Sequence, residues 1–557
     1  MNAIVLMVVG LVVMSLGYVF YSKFIAEKIY RLDPNYRTPA HELRDGVDFV
    51  PTNKFVLWGH HFTSVAGAAP IVGPAIAVIW GWGPAFAWVV LGTVFFAGIH
   101  DFGALWASVR NRGQSIGMLS GSFIGARGRN LFLVVIFLLL LMVNAAFAVV
   151  IANLLVSTPT SVIPVWGAIV VALVIGQLIY RYKVKLLWPS IIGVIVLYAL
   201  ILWGNSAPIV LPDTVFGMSA KSAWIVLLFL YAGIASLLPV WVLLQPRDYI
   251  NGLQLFVGLG LLYAAVLIAG PELVAPAYNT NLPANTPSIV PLLFVTIACG
   301  AISGFHGLVS SGTSSKQLDK ETDARFVGYF GAVGEGMLAL AAIICCTAGF
   351  ATLVDWEAVY TQFGAGGVVA FVQGGDAILV AGLGIPADLG ATMLATMAIL
   401  FAATTMDTGL RLQRFVVQEA GELAGFKVNT LLGTVLALAV CMALAFGAGT
   451  DGAGGMVIWP LFGTTNQLLA ALTLSILSVM LIKLGRNPVY TLVPLAFLLV
   501  MSLYALVVQL VKFYDDQNWL LLSMDVVILI AALWVAFEAM IAMAKGRREQ
   551  LAKARAG

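Results

Sequence analysis

Apolar runs of about 20 residues, each long enough to cross a bilayer's hydrocarbon core as a helix, recur from one end of the chain to the other. Short polar stretches punctuate them. The pattern predicts fifteen spans, near 2–22, 57–79, 84–108, 129–155, 162–180, 186–203, 222–244, 249–270, 288–309, 326–350, 386–407, 428–449, 456–482, 489–511 and 519–544. Alternating segments of ~10 residues, the mark of a barrel strand, are not seen. An all-α polytopic membrane protein is therefore expected. Residues 367–383 are also apolar, but Gln373, Gly374, Gly375 and Asp376 interrupt them. Segment 361–385 is read as a re-entrant or surface-lying piece on the outer side, tolerable at membrane depth only where protein buries it.

Composition supports this reading. The 557 residues are 61% hydrophobic and 10% charged, against roughly a quarter charged in soluble domains. A net charge of +3 comes from basic loops and presents no nucleic-acid face. Lysines and arginines gather at 23–54, 110–129, 181–185, 247, 316–325, 411–427, 483–486 and 545–555, in alternate loops. With fifteen spans every basic loop falls on the cytoplasmic side, the N-terminus outside and the C-terminus inside. The first apolar run has no basic stretch before it and no A-x-A site, so an uncleaved span is expected. Cys299, Cys345, Cys346 and Cys441 lie in apolar runs and form no metal or disulfide pattern.

Two predicted spans carry helix breakers near their middle: AGAAPIVGP at 66–74 and YAGIASLLP at 231–239. Each is followed by four more spans, and the two enter from opposite sides. This predicts two inverted halves, 57–203 and 222–350. They follow an N-terminal span with its basic loop, 1–56, and precede C-terminal helices, 351–557. Paired interrupted segments in inverted halves point to the central site of a secondary transporter, because a broken helix bares carbonyls and N–H groups at the midplane. Breakers also permit close packing or a kink. Candidate substrate-binding residues are Gly67, Ala68, Ala69, Pro70 and Gly73 on one side, and Tyr231, Gly233, Ser236, Pro239 and Trp241 on the other.

Titratable residues gather at one depth. His60 and His61 open one span, His100 and Asp101 lie in the next, and His306 sits near the end of 288–309. Such groups are costly in a membrane and mark function by default. His61, His100, Asp101 and His306 suit proton coupling. His60, His61, His100, Asp101 and His306 also suit a structural metal such as Zn²⁺. A third reading is interfacial histidines bonded to headgroups or helix ends. Ser310, Ser311, Thr313 and Ser314 offer hard oxygen ligands for Na⁺, or a helix end satisfying its own carbonyls. The coupling ion is thus H⁺ or Na⁺, and beyond that structural metal no cofactor is indicated. Ser303 and His306 share a helix face, but GAISGFHG is no nucleophile elbow and H-E-x-x-H is missing, so an intramembrane hydrolase is disfavoured and no enzyme is expected. A simple channel does not need two broken spans.

GHHFTSVAGAAPIVGPAIA, FFAGIHDFGALWASVRNRGQSIG and GFHGLVSSGTSSKQLDKETDARFVGYFGAVGEGMLALAA closely resemble the carbon starvation protein A family, over most of the chain. The resemblance implies a multi-pass uptake system of the bacterial inner membrane, induced when carbon is scarce, with members associated with peptides and others with pyruvate. It further implies the amino acid–polyamine–organocation superfamily and its five-plus-five, leucine-transporter-like core. One extra N-terminal span and several extra C-terminal helices would give about 15–18 helices in all. In that core the first and sixth helices unwind around substrate, here 57–79 and 222–244, and the eighth often supplies sodium ligands, here 288–309 into Ser314. The expected function is ion-coupled import of short peptides, with a pyruvate–proton symporter as the alternative. The expected partners are substrate and lipid, not nucleic acid, with oligomeric state open.

Overall fold

The computed structural model describes residues 1–185, 187–284, 286–447 and 454–556. The edges of predicted spans 186–203 and 428–449 touch residues outside this set. Among the described residues, twelve helices are long and apolar enough to cross a membrane. A bent pair, Lys54–Ala66 with Ala69–Trp80, supplies one further crossing at an angle of 43°. The remaining predicted spans correspond to shorter pieces. Segment 288–309 is split into Ile289–Thr296, Ala298–Ala301 and Gly304–Gly312, and 428–449 is represented by Thr430–Phe446.

The loops sort onto two faces. On one, Thr52 N donates to Gln317 O (3.0 Å) and Asp33 N to Glu321 Oε2 (2.6 Å). Arg110 also pairs with Glu321 there, and Arg411 lies 3.7 Å from Asp48. This face collects the basic loops. On the opposite face, Ala3 N donates to Pro271 O (2.9 Å), Trp82 N to Pro276 O (3.1 Å) and Val274 N to Thr347 O (2.8 Å). Helix Gly367–Leu383 packs on that opposite side. A Cβ on Gly374 would fall 2.1 Å from Cys345 O, and one on Gly382 would fall 2.3 Å from Ala265 O. Both partners sit near the opposite-face ends of Glu321–Ala348 and Leu244–Ala269.

The first interruption is where the breakers predict it. Gly67 has φ 55° and ψ −157°, a conformation only glycine holds without strain, and Pro70 opens the next helix without needing an N–H partner. The second is not at 231–239. Helix Ala220–Leu237 runs unbroken through Tyr231, Gly233 and Ser236 and ends at Leu238, just before Pro239. Its last carbonyls are answered by two buried arginines: Arg411 donates to Leu238 O, and Arg414 to Ser236 O at 2.6 Å. The other broken helix is 289–312, where Ile302 and Ser303 are extended (φ −165° and −136°). The two broken helices run in opposite directions between the faces and touch. A Cβ on Gly73 would lie 2.4 Å from Thr296 O and 3.3 Å from Ile297 Cα.

Their surroundings match in pairs. The first broken helix packs on Leu244–Ala269, the second on Trp459–Lys483. Ala126–Ser157 packs on Leu389–Leu423. Ala220–Leu237 lies against Leu389–Leu423, and Thr430–Phe446 against Ala126–Ser157.

The close contact at Gly73 has a measurable consequence. Gly73→Leu should destabilise the detergent-solubilised chain by about 1–3 kcal/mol, the usual cost of overpacking. Gly260→Leu, with no atom within 4 Å of the added Cβ, should stay within ~0.5 kcal/mol of the parent. Equal melting curves for the two variants would contradict the packing.

Candidate functional site

Two buried polar clusters flank the broken helices. The first joins four helices. His60 Nδ1 lies 2.7 Å from Asp248 Oδ2, and Ser64 Oγ donates to the same oxygen at 3.3 Å. Arg247 donates to Asp248 Oδ1 (2.8 Å), to the Tyr231 hydroxyl (2.6 Å) and to Asp407 Oδ2. His60, Asp248 and Asp407 are wholly buried and Arg247 is 2% exposed. A guanidinium can enter such a place because its planar fork reaches two carboxylates at once. Hydroxyls of Leu389–Leu423 reach the first break itself: Thr405 Oγ1 donates to Ser64 O at 3.0 Å and Thr408 Oγ1 to Ser64 Oγ at 3.2 Å.

The second cluster is a chain of four titratable groups. Asp101 accepts from His100 Nδ1 and His306 Nδ1, both at 2.7 Å. The other nitrogen of His306 lies 3.0 Å from Glu335 Oε2. The contact is one of distance without hydrogen-bond alignment, and it becomes a charge pair when His306 is protonated. His61 Nδ1 meets Ser314 Oγ at 2.9 Å alongside.

The second break is held from a distance. Asn466 Oδ1 accepts from Phe305 N (2.9 Å), in the first turn after the break, and its amide nitrogen donates to Ser303 Oγ (2.9 Å). This side chain does for helix Gly304–Gly312 what a local N-cap does elsewhere.

The structure brings His100, Asp101 and His306 together and places His61 beside them. The five residues considered for a metal do not converge, because His60 is drawn away to Asp248. Among the described residues no group of three or more His, Cys, Asp or Glu is arranged to hold a metal ion. In the hydroxyl run, Ser311 and Thr313 bond back to Gly307 O (2.7 Å) and Val309 O (3.0 Å) of their own helix. Ser310 Oγ is buried without a hydrogen-bond partner. Ser303 and His306 make no nucleophile–base pair, since Ser303 bonds Asn466 while His306 bonds Asp101 and lies 3.0 Å from Glu335. Gly67, Ala68, Ala69, Pro70 and Gly73 line the first break, facing Phe147, Thr405 and Thr296. Gly233 and Ser236 instead face Leu438 and Thr434, and Pro239 and Trp241 lie in the turn beyond the helix end. Tyr231 reaches the first cluster through Arg247.

Sequence reading missed Asp248, Thr405 and Thr408, took Arg247 for a loop charge, and left Glu335 and Asn466 without a role; it read Asp407 with Arg411 and Arg414 as a packed ion pair or a gate, whereas Asp407 pairs with Arg247. A helix starting at Leu244 rather than 249 would have shown Arg247 and Asp248 inside the protein. For Asn466 the sequence carries no signal, because its partner lies 161 residues away.

The comparisons with known proteins agree on one family. The model "Carbon starvation protein CstA" matches residues 2–360 and 348–505. The chain is 33% identical to the peptide transporter CstA of Campylobacter jejuni, over 93% of this chain and 81% of that protein. It is 32% identical to the pyruvate/proton symporter BtsT of Escherichia coli, over 91% and 82%. A crystal structure of a manganese transporter mutant from Eremococcus coleocola aligns with 90% of this chain and 99% of its own, at 12% identity and a TM-score of 0.43, too low to bear on the argument. With the family model spanning most of its length, this multi-pass membrane protein belongs to the carbon starvation protein CstA family of transporters.

Proposed function

We propose that the chain is a proton-coupled importer of short peptides, taking substrate between its two broken helices. The observation that carries this reading is the contact of two oppositely directed interrupted helices at Gly73 and Thr296, beside the His100–Asp101–His306–Glu335 chain. A helix restarting at Ala69 presents its positive end to the break, where a substrate carboxylate is stabilised. The paired packing supports a five-plus-five inverted core in a new register. One half is the first broken helix with 82–110, 126–157, 220–237 and 244–269. The other is 289–312 with 321–348, 389–423, 430–446 and 459–483. Hairpin 159–206 is then an insertion, and the binding surface is 66–74 with 296–303 rather than 231–241. The basic face is cytoplasmic and the N-terminus outside, as loop charge requires.

Proton rather than sodium coupling is supported by the buried His306 lying between Asp101 and Glu335, at 2.7 and 3.0 Å. A second reading, pyruvate–proton symport, is favoured by the likeness to the pyruvate/proton symporter at nearly the same identity. Peptides and pyruvate share the carboxylate that the restarting helix attracts.

Uptake into proteoliposomes separates the two readings. Labelled dialanine should accumulate under an imposed proton gradient, sodium should not replace it, and trialanine but not pyruvate should compete. Pyruvate accumulation indifferent to peptides would instead establish the symporter. Glu335→Gln and His306→Gln should each cut gradient-driven accumulation at least ~10-fold, the scale of one lost charge-assisted contact, while leaving counterflow exchange measurable. Full accumulation in both variants would remove the cluster from coupling.

A further inference from the structure

A chamber of about 430 Å³ opens on the basic face, within the ~300–1,000 Å³ range of small-molecule sites. Four helices line it: Ile116–Phe123, Ala126–Ser157 at Leu133, Ile136 and Leu140, the last turn of the second broken helix at Leu308 and Gly312, and Leu389–Leu423 at Leu412, Phe415 and Glu419. Both signs of charge line it. Lys316 and Glu419 are partly buried in the walls, while Arg112 and Glu422 stand at the exposed mouth. The Lys316 ammonium lies over the rings of Phe415 and Phe49, at 5.0 and 5.5 Å from their centroids. Glu419 accepts from Ser115 Oγ at 3.2 Å. Met118 and Leu308 add apolar surface between them.

The chamber is fastened to the broken helix. Ile116 N donates to Ser311 Oγ at 2.9 Å, and the Ser108 hydroxyl, 2.7 Å from Gln114 O, lies 3.2 Å from Ser311 O and 2.8 Å from Ser315 Oγ. The wall made by 116–123 is thus tied to Gly304–Gly312, and it packs as well against Ala126–Ser157. A ligand bridging Lys316 and Glu419 spans from the end of that helix to Leu389–Leu423 and holds the two together.

We propose that this chamber is a cytoplasmic site for free zwitterionic peptide, and that its occupancy immobilises the second broken helix, so that internal peptide restrains further uptake. The assignment rests on the import reading above and sharpens it. The ammonium of a peptide pairs with Glu419 and its carboxylate with Lys316. A small ketoacid can satisfy only the second and leaves a wall carboxylate unmatched.

Two measurements on the full chain test this. In calorimetry of the solubilised protein, Lys316→Gln and Glu419→Gln should each weaken dialanine binding at least ~10-fold, the loss of one charge-assisted contact. N-acetyl-dialanine should lose the Glu419-dependent part and dialaninamide the Lys316-dependent part. In proteoliposomes, preloaded internal dialanine should slow uptake by the parent, and the concentration for half-inhibition should rise ~10-fold or more in either variant; internal pyruvate should not inhibit. Unchanged binding and unchanged inhibition in both variants would overturn the chamber. Binding that depends on Lys316 and Glu419 in a chain that accumulates no dialanine would support the chamber and reject peptide import.

Discussion

The Arg247 guanidinium, held between Asp248 and Asp407, is the interaction that ties the first broken helix to its neighbours. Inside an apolar slab a charge persists only where the chain supplies its counter-charge. Asp248 then reaches His60, and Asp407 brings with it the hydroxyls that bond to Ser64 at the first break. One cation thereby fixes helices Leu244–Ala269 and Leu389–Leu423 against the broken helix. Removing either carboxylate leaves a buried charge without its partner.

The same constraint shapes every interruption. A helix that stops at membrane depth leaves carbonyls and N–H groups that lipid cannot satisfy. Arg411 and Arg414 answer the carbonyls at the end of Ala220–Leu237, Thr405 answers Ser64, and Asn466 answers Phe305. In each case the answering residue comes from another helix, far away in sequence. The interruptions are therefore products of packing as much as of local breakers. For a transporter this has a use, since a break held by partners on neighbouring helices can be released when those helices shift.

Charge is distributed with depth. The basic face carries exposed or half-exposed pairs such as His41 with Asp319, where water screens the interaction and little stability is at stake. Further in, both clusters are wholly buried and carry nearly matched numbers of acids and bases. In the chain from His100 to Glu335 two imidazoles stand against two carboxylates, with no arginine or lysine among them. The chamber on the basic face repeats the theme with Lys316 and Glu419 unpaired across an open space, where a ligand rather than a side chain can complete the match.

Hydropathy alone determined the helical, membrane-spanning class, the loop faces and the first broken helix, because chain length, apolar content, loop charge and AGAAPIVGP act locally. The histidine–aspartate signal was also legible, since charge in an apolar run is visible wherever it occurs. The family was legible in three quoted motifs. The second broken helix was not. Segment 289–312 contains no proline at its break, and the residue that stabilises the break, Asn466, belongs to Trp459–Lys483. Conversely, Pro239 announces a break at 231–239 that the tertiary structure turns into an ordinary helix end, satisfied by Arg411 and Arg414. Which titratable groups meet was likewise decided only in three dimensions. His60 and His61 are neighbours in sequence, yet a helical step of about 100° sends one to Asp248 and the other to Ser314.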